Sequence, residues 1–295
     1  MNTEAFDPRY DDLDAWPLGR ILDAVIEANR RAADAVGRAR DALERAAEGL
    51  EGRLGRGGRL VYAGAGTSGR IAVQDAAELP PTFGFERTLV LMAGGGEAGA
   101  VARENAEDDT GAAVRDVERA GIDPNDAVVA IAASGRTPYT LAAVRRAREL
   151  GAFTVGIANN AGAPLLDAAD VGVLLDSGPE VLAGSTRLAA GTAQKIALNA
   201  LSTAVLVRTG GAYRNLMVGM RPINDKLRVR AAEIVRRATG APSEEAERAL
   251  RLADGSIREA IVILETGVTP DEARTLLIRH GNRVRDALQA HRGDA

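Results

Sequence analysis

The sequence predicts an α/β protein: a parallel sheet with helices on both faces, preceded by N-terminal helices and followed by a small helical module. Three observations carry this. Short apolar runs at residues 59–63, 88–93, 126–132, 153–158 and 171–175 alternate with helix-patterned segments. The runs are almost unbroken by polar residues, as in strands buried on both faces. Apolar residues make up 46% of the 295, enough for a sizeable core. At roughly 150 residues per domain, this length fits one large domain with something small beside it.

Residues 18–53 read as helix, with Leu18, Ile21, Leu22, Val25 and Ile26 at helical spacing. Trp16-Pro17 marks the entry, and a second stretch over residues 31–54, rich in Ala, Arg and Glu, ends at Gly55, Gly57 and Gly58. The first strand, residues 59–63, runs into the glycine-rich residues 64–69 and a helix over 70–79, which Pro80-Pro81 should stop. Helices are expected at 97–105, 111–120 and 138–150, between and after the second and third strands. A long helix rich in small residues covers 185–208, and another covers 223–238. From Ser243 on, short helices are broken by Gly255, Gly267 and Gly281. Ser243-Glu244-Glu245 and Thr269-Pro270-Asp271-Glu272 read as capped starts with acidic first turns. The expected domains are a helical segment over 1–54, the sheet domain over 55–228 and the helical module over 229–295.

Composition excludes several function classes. The chain has no Cys, so thiol nucleophiles, disulfides and cysteine-ligated metals are out. Its two His, His280 and His291, lie near the C-terminus and make a His-based triad or zinc site improbable. Aromatics are 3% and the net charge is −4, which argues against a nucleic-acid partner. All but two of the 37 basic residues are Arg, the exceptions being Lys195 and Lys226. No run approaches the roughly 20 apolar residues of a membrane span, and nothing resembles a signal peptide. A cytoplasmic protein is the expectation.

In open parallel sheets, ligands sit at the carboxyl ends of the strands, where helix N-termini converge. Two loops stand there. Gly64-Ala65-Gly66-Thr67-Ser68-Gly69-Arg70 follows the first strand and offers a tight turn, two hydroxyls and free amides, which suit a phosphate monoester. It is not a P-loop, and the acid that would hold a dinucleotide ribose is missing from the second strand. A plain strand-to-helix turn is the alternative. Ala132-Ala133-Ser134-Gly135-Arg136-Thr137-Pro138 repeats the pattern after the third strand, although Ser134 or Thr137 could be an ordinary N-cap. Glu78 would be an acid at a helix C-terminus, electrostatically unfavoured, or simply an exposed one. Glu107, in Ala106-Glu107-Asp108-Asp109, reads as a candidate acid or base, or as part of a solvated acidic face. Gly184-Ser185-Thr186-Arg187 leads into the long helix as a possible cap.

These segments together resemble the bacterial N-acetylmuramic acid 6-phosphate etherases. The resemblance rests on Gly64 to Arg70, Asp75-Ala76-Ala77-Glu78-Leu79-Pro80-Pro81-Thr82-Phe83-Gly84, Ala106 to Asp109, Ile131 to Tyr139, Gly184 to Lys195 and Asn215-Leu216-Met217-Val218. It runs in order along nearly the whole chain, from about Thr3. The resemblance implies a three-layer α/β/α sugar isomerase (SIS) domain with a five-stranded parallel sheet, kinship with the glucokinase regulatory protein, a homodimer, and a ubiquitin-associated-like (UBA-like) C-terminal bundle. It implies cleavage of the D-lactyl ether of N-acetylmuramic acid 6-phosphate by elimination and hydration, in cell-wall amino sugar recycling. Glu78 and Glu107 fall on the family's catalytic glutamates. Ser68, Ser134 and Thr137, with Thr67 and Ser185 nearby, would hold the phosphate. The chemistry requires neither metal nor nucleotide. The chain departs from the family pattern at Ala77, where Ser is usual, and at Ala189, where Lys is usual. It also has Glu104-Asn105-Ala106-Glu107 for the family's Glu-Gly-Ala-Glu. A non-catalytic phosphosugar-binding regulator is the alternative, and a sugar-phosphate isomerase a third.

Overall fold

The computed structural model describes residues 2–99, 105–222 and 224–294. By contact the chain forms two units: Met1–Ala76 with Arg87–Ser202, and Ala77–Glu86 with Thr203–Ala295.

The first unit is built on five parallel strands among the described residues: β1 (Leu60–Gly64), β2 (Thr88–Met92), β3 (Ala127–Ile131), β4 (Phe153–Ala158) and β5 (Val171–Leu174). Their order is β2-β1-β3-β4-β5. Every residue of β1 and β3 is buried, which is why both read as unbroken apolar runs. Around the sheet run α1 (Leu18–Arg38), α2 (Arg40–Leu54), α3 (Gly66–Phe83), α4 (Thr110–Arg119), α5 (Pro138–Glu149), the short α6 (Pro164–Ala168) and α7 (Ala189–Leu206). Alternate strand residues serve opposite faces. Val61, Ala63, Val128 and Ala130 pack with Val117, Tyr139, Val144 and Leu165 from α4, α5 and α6. Tyr62 points the other way, toward Asp75 of α3, and α2 packs on the same sheet through β3, β4 and β5. The result is the expected α/β/α sandwich.

The Arg59–Asp126 pair ties the starts of β1 and β3. The guanidinium meets both carboxylate oxygens, at 3.0 and 2.6 Å, and the Arg59 amide donates to the same group at 3.0 Å. Burial alone would raise the Asp126 pKa; the Arg59 side chain and the Arg59 and Asp123 amides outweigh it and hold the carboxyl below its usual range.

Several boundaries differ from those expected. The helix read over 18–53 breaks at Ala39, whose backbone leaves the helical region (φ −85°, ψ 4°) without a Gly or Pro to mark it. Pro80 and Pro81 do not end α3, which continues to Phe83. Proline costs a helix the hydrogen bond its own amide would make, and two lost bonds near an end are tolerable where tertiary contacts hold the last turn. The helix expected over 97–105 falls mostly on residues 100–104, outside the described residues, with a 3-10 turn at Gly96–Gly99 before them. The long helix begins at Ala189, not 185, and ends in a π-turn at Val207–Gly211.

The second unit holds a two-stranded antiparallel hairpin, β6 (Ala212–Tyr213) and β7 (Leu216–Met217), too short to register in the sequence. Five helices follow among the described residues: α8 (Asp225–Thr239), α9 (Ser243–Leu252), α10 (Ile257–Thr266), α11 (Pro270–Arg279) and α12 (Val284–Asp294). Tyr213, Val218 and Met220 share their core with Ile234, Val235, Ile257, Ile261, Leu277 and Leu288. Thr269 and Glu272 form the full capping box read from the sequence. Ser243 is the first residue of α9 and its side chain makes no cap. Among the described residues, no helix is long and apolar enough to cross a membrane.

Candidate active site

The strand order creates a switch point. From β1 the chain crosses to β2 on one side, and from β3 to β4 on the other. Gly64 and Ile131 are register partners at the strand ends, so the loops that follow leave the sheet side by side. Such crevices are where doubly wound sheets take ligands.

The first loop is tighter than the sequence suggested. The helix opens at Gly66, four residues before the expected Arg70, so Thr67 and Ser68 lie in its first turn. Gly66 takes φ +53°, a left-handed turn that lets the chain swing directly from strand to helix. Ser68 is buried and Thr67 half-buried. Apart from Gly69, which bonds back to Ala65 at 3.0 Å, the amides of this turn have no preceding helical carbonyl to pair with.

The second loop repeats the device with Gly135 at φ +61°. There a Cβ would lie 2.5 Å from the Ala163 methyl, so position 135 requires glycine twice over. The Ser134 hydroxyl accepts the Arg136 amide at 3.1 Å in a local turn. Thr137 occupies the N-cap position of α5 but makes no side-chain cap bond, and Pro138 follows it with no amide to donate. Thr137 is thus not the ordinary capping residue of the alternative reading.

Ser185 is half-buried on the loop between β5 and α7. The sequence suggested that Gly184 to Arg187 cap the long helix; the cap comes instead from Glu180. Its carboxylate, 1% exposed, accepts the Ala189 and Ala190 amides, each at 2.9 Å. Burial raises its pKa, against the pull of those amides and of Arg31. Ala189 itself is fully buried. An acid nine residues before a helix carries no local capping signal, which is why sequence reasoning passed over it.

Sequence reasoning also missed what the first residues do. Thr3 is fully buried, and its amide and hydroxyl both bond the Asn160 side chain, at 3.2 and 2.9 Å. Asn160 donates as well to the Ala133 carbonyl at 2.9 Å, beside Ser134. The Glu4 carboxylate lies against Gly184, where a Cβ would stand 2.8 Å from its oxygen. The N-terminal segment is thereby fastened to the loops that carry Ser134 and Ser185.

A third hidden feature is Asp75. It is 1% exposed and accepts the Tyr62 hydroxyl at 2.6 Å, the Asn199 amide at 2.6 Å and the Ser202 hydroxyl at 3.4 Å. Burial, and then the neighbouring Asp75 charge, push the Tyr62 phenol well above its usual pKa, so it remains a donor. This network joins β1, α3 and α7.

The two candidate glutamates are both exposed. Glu107 belongs to the first unit, on the 3-10 turn Ala106–Asp108 that follows Asn105, itself left-handed at φ +62°. It is not a helix cap; Asp109 caps α4 through the Ala112 amide. Glu78 belongs to the second unit, two residues before Pro80 and five residues short of the end of α3, which runs past the stop that the prolines had implied.

Comparison with known proteins bears directly on this arrangement. Residues 24–148 match the family model of the glucokinase regulatory protein N-terminal SIS domain, and residues 110–204 match the SIS domain model. An N-acetylmuramic acid 6-phosphate etherase of Deinococcus radiodurans is 50% identical over 288 residues, covering 97% of this chain and 94% of that one. The chain belongs to the N-acetylmuramic acid 6-phosphate etherase family. Other etherases bearing the name agree: that of Rubrobacter xylanophilus is 50% identical, covering 93% of this chain and 92% of its own. That of Geobacillus thermodenitrificans is 45% identical, covering 98% and 99%. Among solved structures, a putative phosphosugar isomerase of Bacteroides fragilis superposes with a TM-score of 0.51 at 23% identity, covering 66% of this chain and 94% of that one. That likeness concerns the fold alone; the SIS assignment rests on the family models.

Proposed function

We propose that this protein is an N-acetylmuramic acid 6-phosphate etherase, a carbon–oxygen lyase that yields N-acetylglucosamine 6-phosphate and D-lactate in cell-wall amino sugar recycling. The single observation that carries the reading is the family likeness along nearly the whole chain, at half identity.

In the open-chain sugar, C2 is next to the C1 aldehyde, so its proton is acidic. Glu107 removes that proton, and the electron pair forms the C2–C3 double bond as the C3–O bond breaks. Glu78 protonates the departing lactate oxygen. Water, activated with the help of Glu78, then adds at C3, and a proton returns to C2. Each positioned acid or base is worth on the order of 10²–10⁴-fold. The phosphate is held at the loops after β1 and β3 by Ser68, Ser134 and Thr137, with Thr67 and Ser185 close by. In support, neither α3 nor α5 has an acid in its first turn, and Thr137 makes no cap bond.

The working form is a homodimer in the cytoplasm; Ala189, Ala190, Ala193 and Ala197 of α7 are buried within the single chain, and Ala200 and Ala204 are the small exposed residues that suit close packing against a second copy. Residues 1–54, 55–228 and 229–295 act as helical entry, phosphosugar-binding domain and UBA-like module, although by contact Ala77–Glu86 and the stretch from Thr203 on group with the C-terminal helices.

The test is incubation of the purified protein with N-acetylmuramic acid 6-phosphate, without added metal or nucleotide, and assay of D-lactate. Stoichiometric lactate is expected, with turnover lost by at least about 100-fold in Glu78→Gln and in Glu107→Gln while N-acetylglucosamine 6-phosphate still binds. Absence of lactate with phosphosugar binding intact would overturn the enzyme in favour of a regulator.

A further inference from the structure

Within the second unit, the end of α3 is held by something other than its own helix. Pro80 and Pro81 lack the amides that would bond back to the preceding turn. The last turn keeps the Gly84 amide on the Pro80 carbonyl at 2.9 Å. What fixes it is backbone laid on backbone. A Cβ on Gly219 would collide with the Phe83 carbonyl, and one on Gly84 with the Gly219 carbonyl. A Cβ on Gly211 would stand 2.7 Å from the Phe83 ring. Gly211 and Gly219 flank the hairpin β6–β7; its Tyr213, and Val218 and Met220 just after it, are buried in the C-terminal core.

One side chain clamps that hairpin. Arg258, in the first turn of α10, donates from Nε to the Gly210 carbonyl at 2.9 Å. A Cβ on Gly219 would lie 2.8 Å from one of its terminal nitrogens. Among the described residues no carboxylate pairs with it, and burial lowers its pKa. A half-buried cation without an acid partner is costly, and it is spent here on one backbone carbonyl.

We infer that Arg258 is a positioning residue for Glu78: through the Gly210 carbonyl and the glycine contacts of the hairpin, the C-terminal helices set where the end of α3, and the glutamate on it, stands. The inference rests on the proposed catalytic role of Glu78. Contacts without side-chain slack transmit displacement, because packed backbone has little room to yield. A shift of about 1 Å at a catalytic group can cost about 100-fold.

The test is steady-state kinetics of Arg258→Met, which keeps an apolar stem and removes the donor, beside Arg258→Lys, Gly219→Ala and Glu78→Gln. Ala249→Gly, in the same core on α9, serves as control at matched loss of thermal stability, beside Leu277→Ala on α11. The expected result is a kcat lowered roughly 10- to 100-fold in Arg258→Met, with KM within about threefold. Gly219→Ala should behave alike, and Arg258→Lys should recover part of the loss. Turnover within about twofold of wild type in both Arg258→Met and Gly219→Ala, or an equal kcat loss in both Ala249→Gly and Leu277→Ala, would overturn the inference. Glu78→Gln separates the two readings. If it retains full turnover, the role of Glu78 fails; if it is dead while Arg258→Met is normal, only the positioning role fails.

Discussion

Tyr62→Phe tests whether the buried polar network, and not apolar packing alone, holds α3 against the sheet. The change deletes one oxygen and keeps the ring. In the wild type that oxygen donates to Asp75 Oδ2 at 2.6 Å, between residues that are each 1% exposed. After the change Oδ2 loses its donor, while Oδ1 keeps Asn199 at 2.6 Å and Ser202 at 3.4 Å. A hydrogen bond to a charged acceptor is worth about 1.5–3 kcal/mol, and water cannot replace it at a site this enclosed. The expected loss is therefore about 2–3 kcal/mol in urea unfolding, or roughly 4–12 °C in the midpoint of a unit this size. Because α3 opens with Thr67 and Ser68, phosphosugar affinity should fall as well, read by calorimetry with N-acetylglucosamine 6-phosphate. A stability loss below about 0.5 kcal/mol would refute the reasoning, since that is the scale of an ordinary surface substitution.

Asp126→Asn should cost about 2–3 kcal/mol in urea unfolding, toward the low end for a broken buried pair because Arg59 is 35% exposed while Asp126 is 3% exposed. The Asp126 carboxyl is held below its unfolded value, so its stabilisation is present above about pH 4 and is lost as pH falls through the folded value. The gap between wild type and variant should accordingly narrow below about pH 4; a gap independent of pH would count against the ion pair. Glu180→Gln should show the opposite slope. Burial raises the Glu180 carboxyl, so the folded state takes up its proton first and wild type gains on the variant as pH falls from about 7 toward about 4.5. A difference that shrinks over that interval would mean that the Ala189 and Ala190 amides, not burial, dominate.

The sheet was legible because its strands are buried on both faces, which writes hydrophobicity as unbroken runs: those expected at 59–63 and 126–132 appear at Leu60–Gly64 and Ala127–Ile131. The two glycine loops were legible because a left-handed turn after a strand calls for Gly66 and Gly135. What stayed hidden depends on partners distant in the chain. Glu180 caps a helix nine residues on, Thr3 bonds Asn160 across 157 residues, and Asp75 meets Asn199 across 124. No local pattern encodes such pairs. Pro80-Pro81 misled for the same reason: a helix continues through proline where contacts from far along the chain supply what the missing amides do not. The hairpin at 212–217 has only two residues per strand, below any periodic signal.

The electrostatics of the strand ends argue further for where a phosphate belongs. Each strand of the sheet is followed by a helix, and the starts of those helices differ in one respect. After β2, α4 is capped by Asp109, which accepts the Ala112 amide at 2.7 Å. After β4, α6 carries Asp167 in its first turn. After β5, the carboxylate of Glu180 occupies the head of α7. Among the described residues, only the helices after β1 and β3, α3 and α5, begin with no acid in the first turn and no side-chain carboxylate as cap. A helix N-terminus gains about 0.3–1 kcal/mol from a nearby negative charge, so leaving two of them bare forgoes stability that the other three take. An acid there would repel a bound dianion by more than that in a half-buried crevice. The two bare termini are also the adjacent pair, at the switch point of the sheet. The hydroxyls of Thr67, Ser68, Ser134 and Thr137 stand at those two starts, the arrangement that the proposed phosphate site requires.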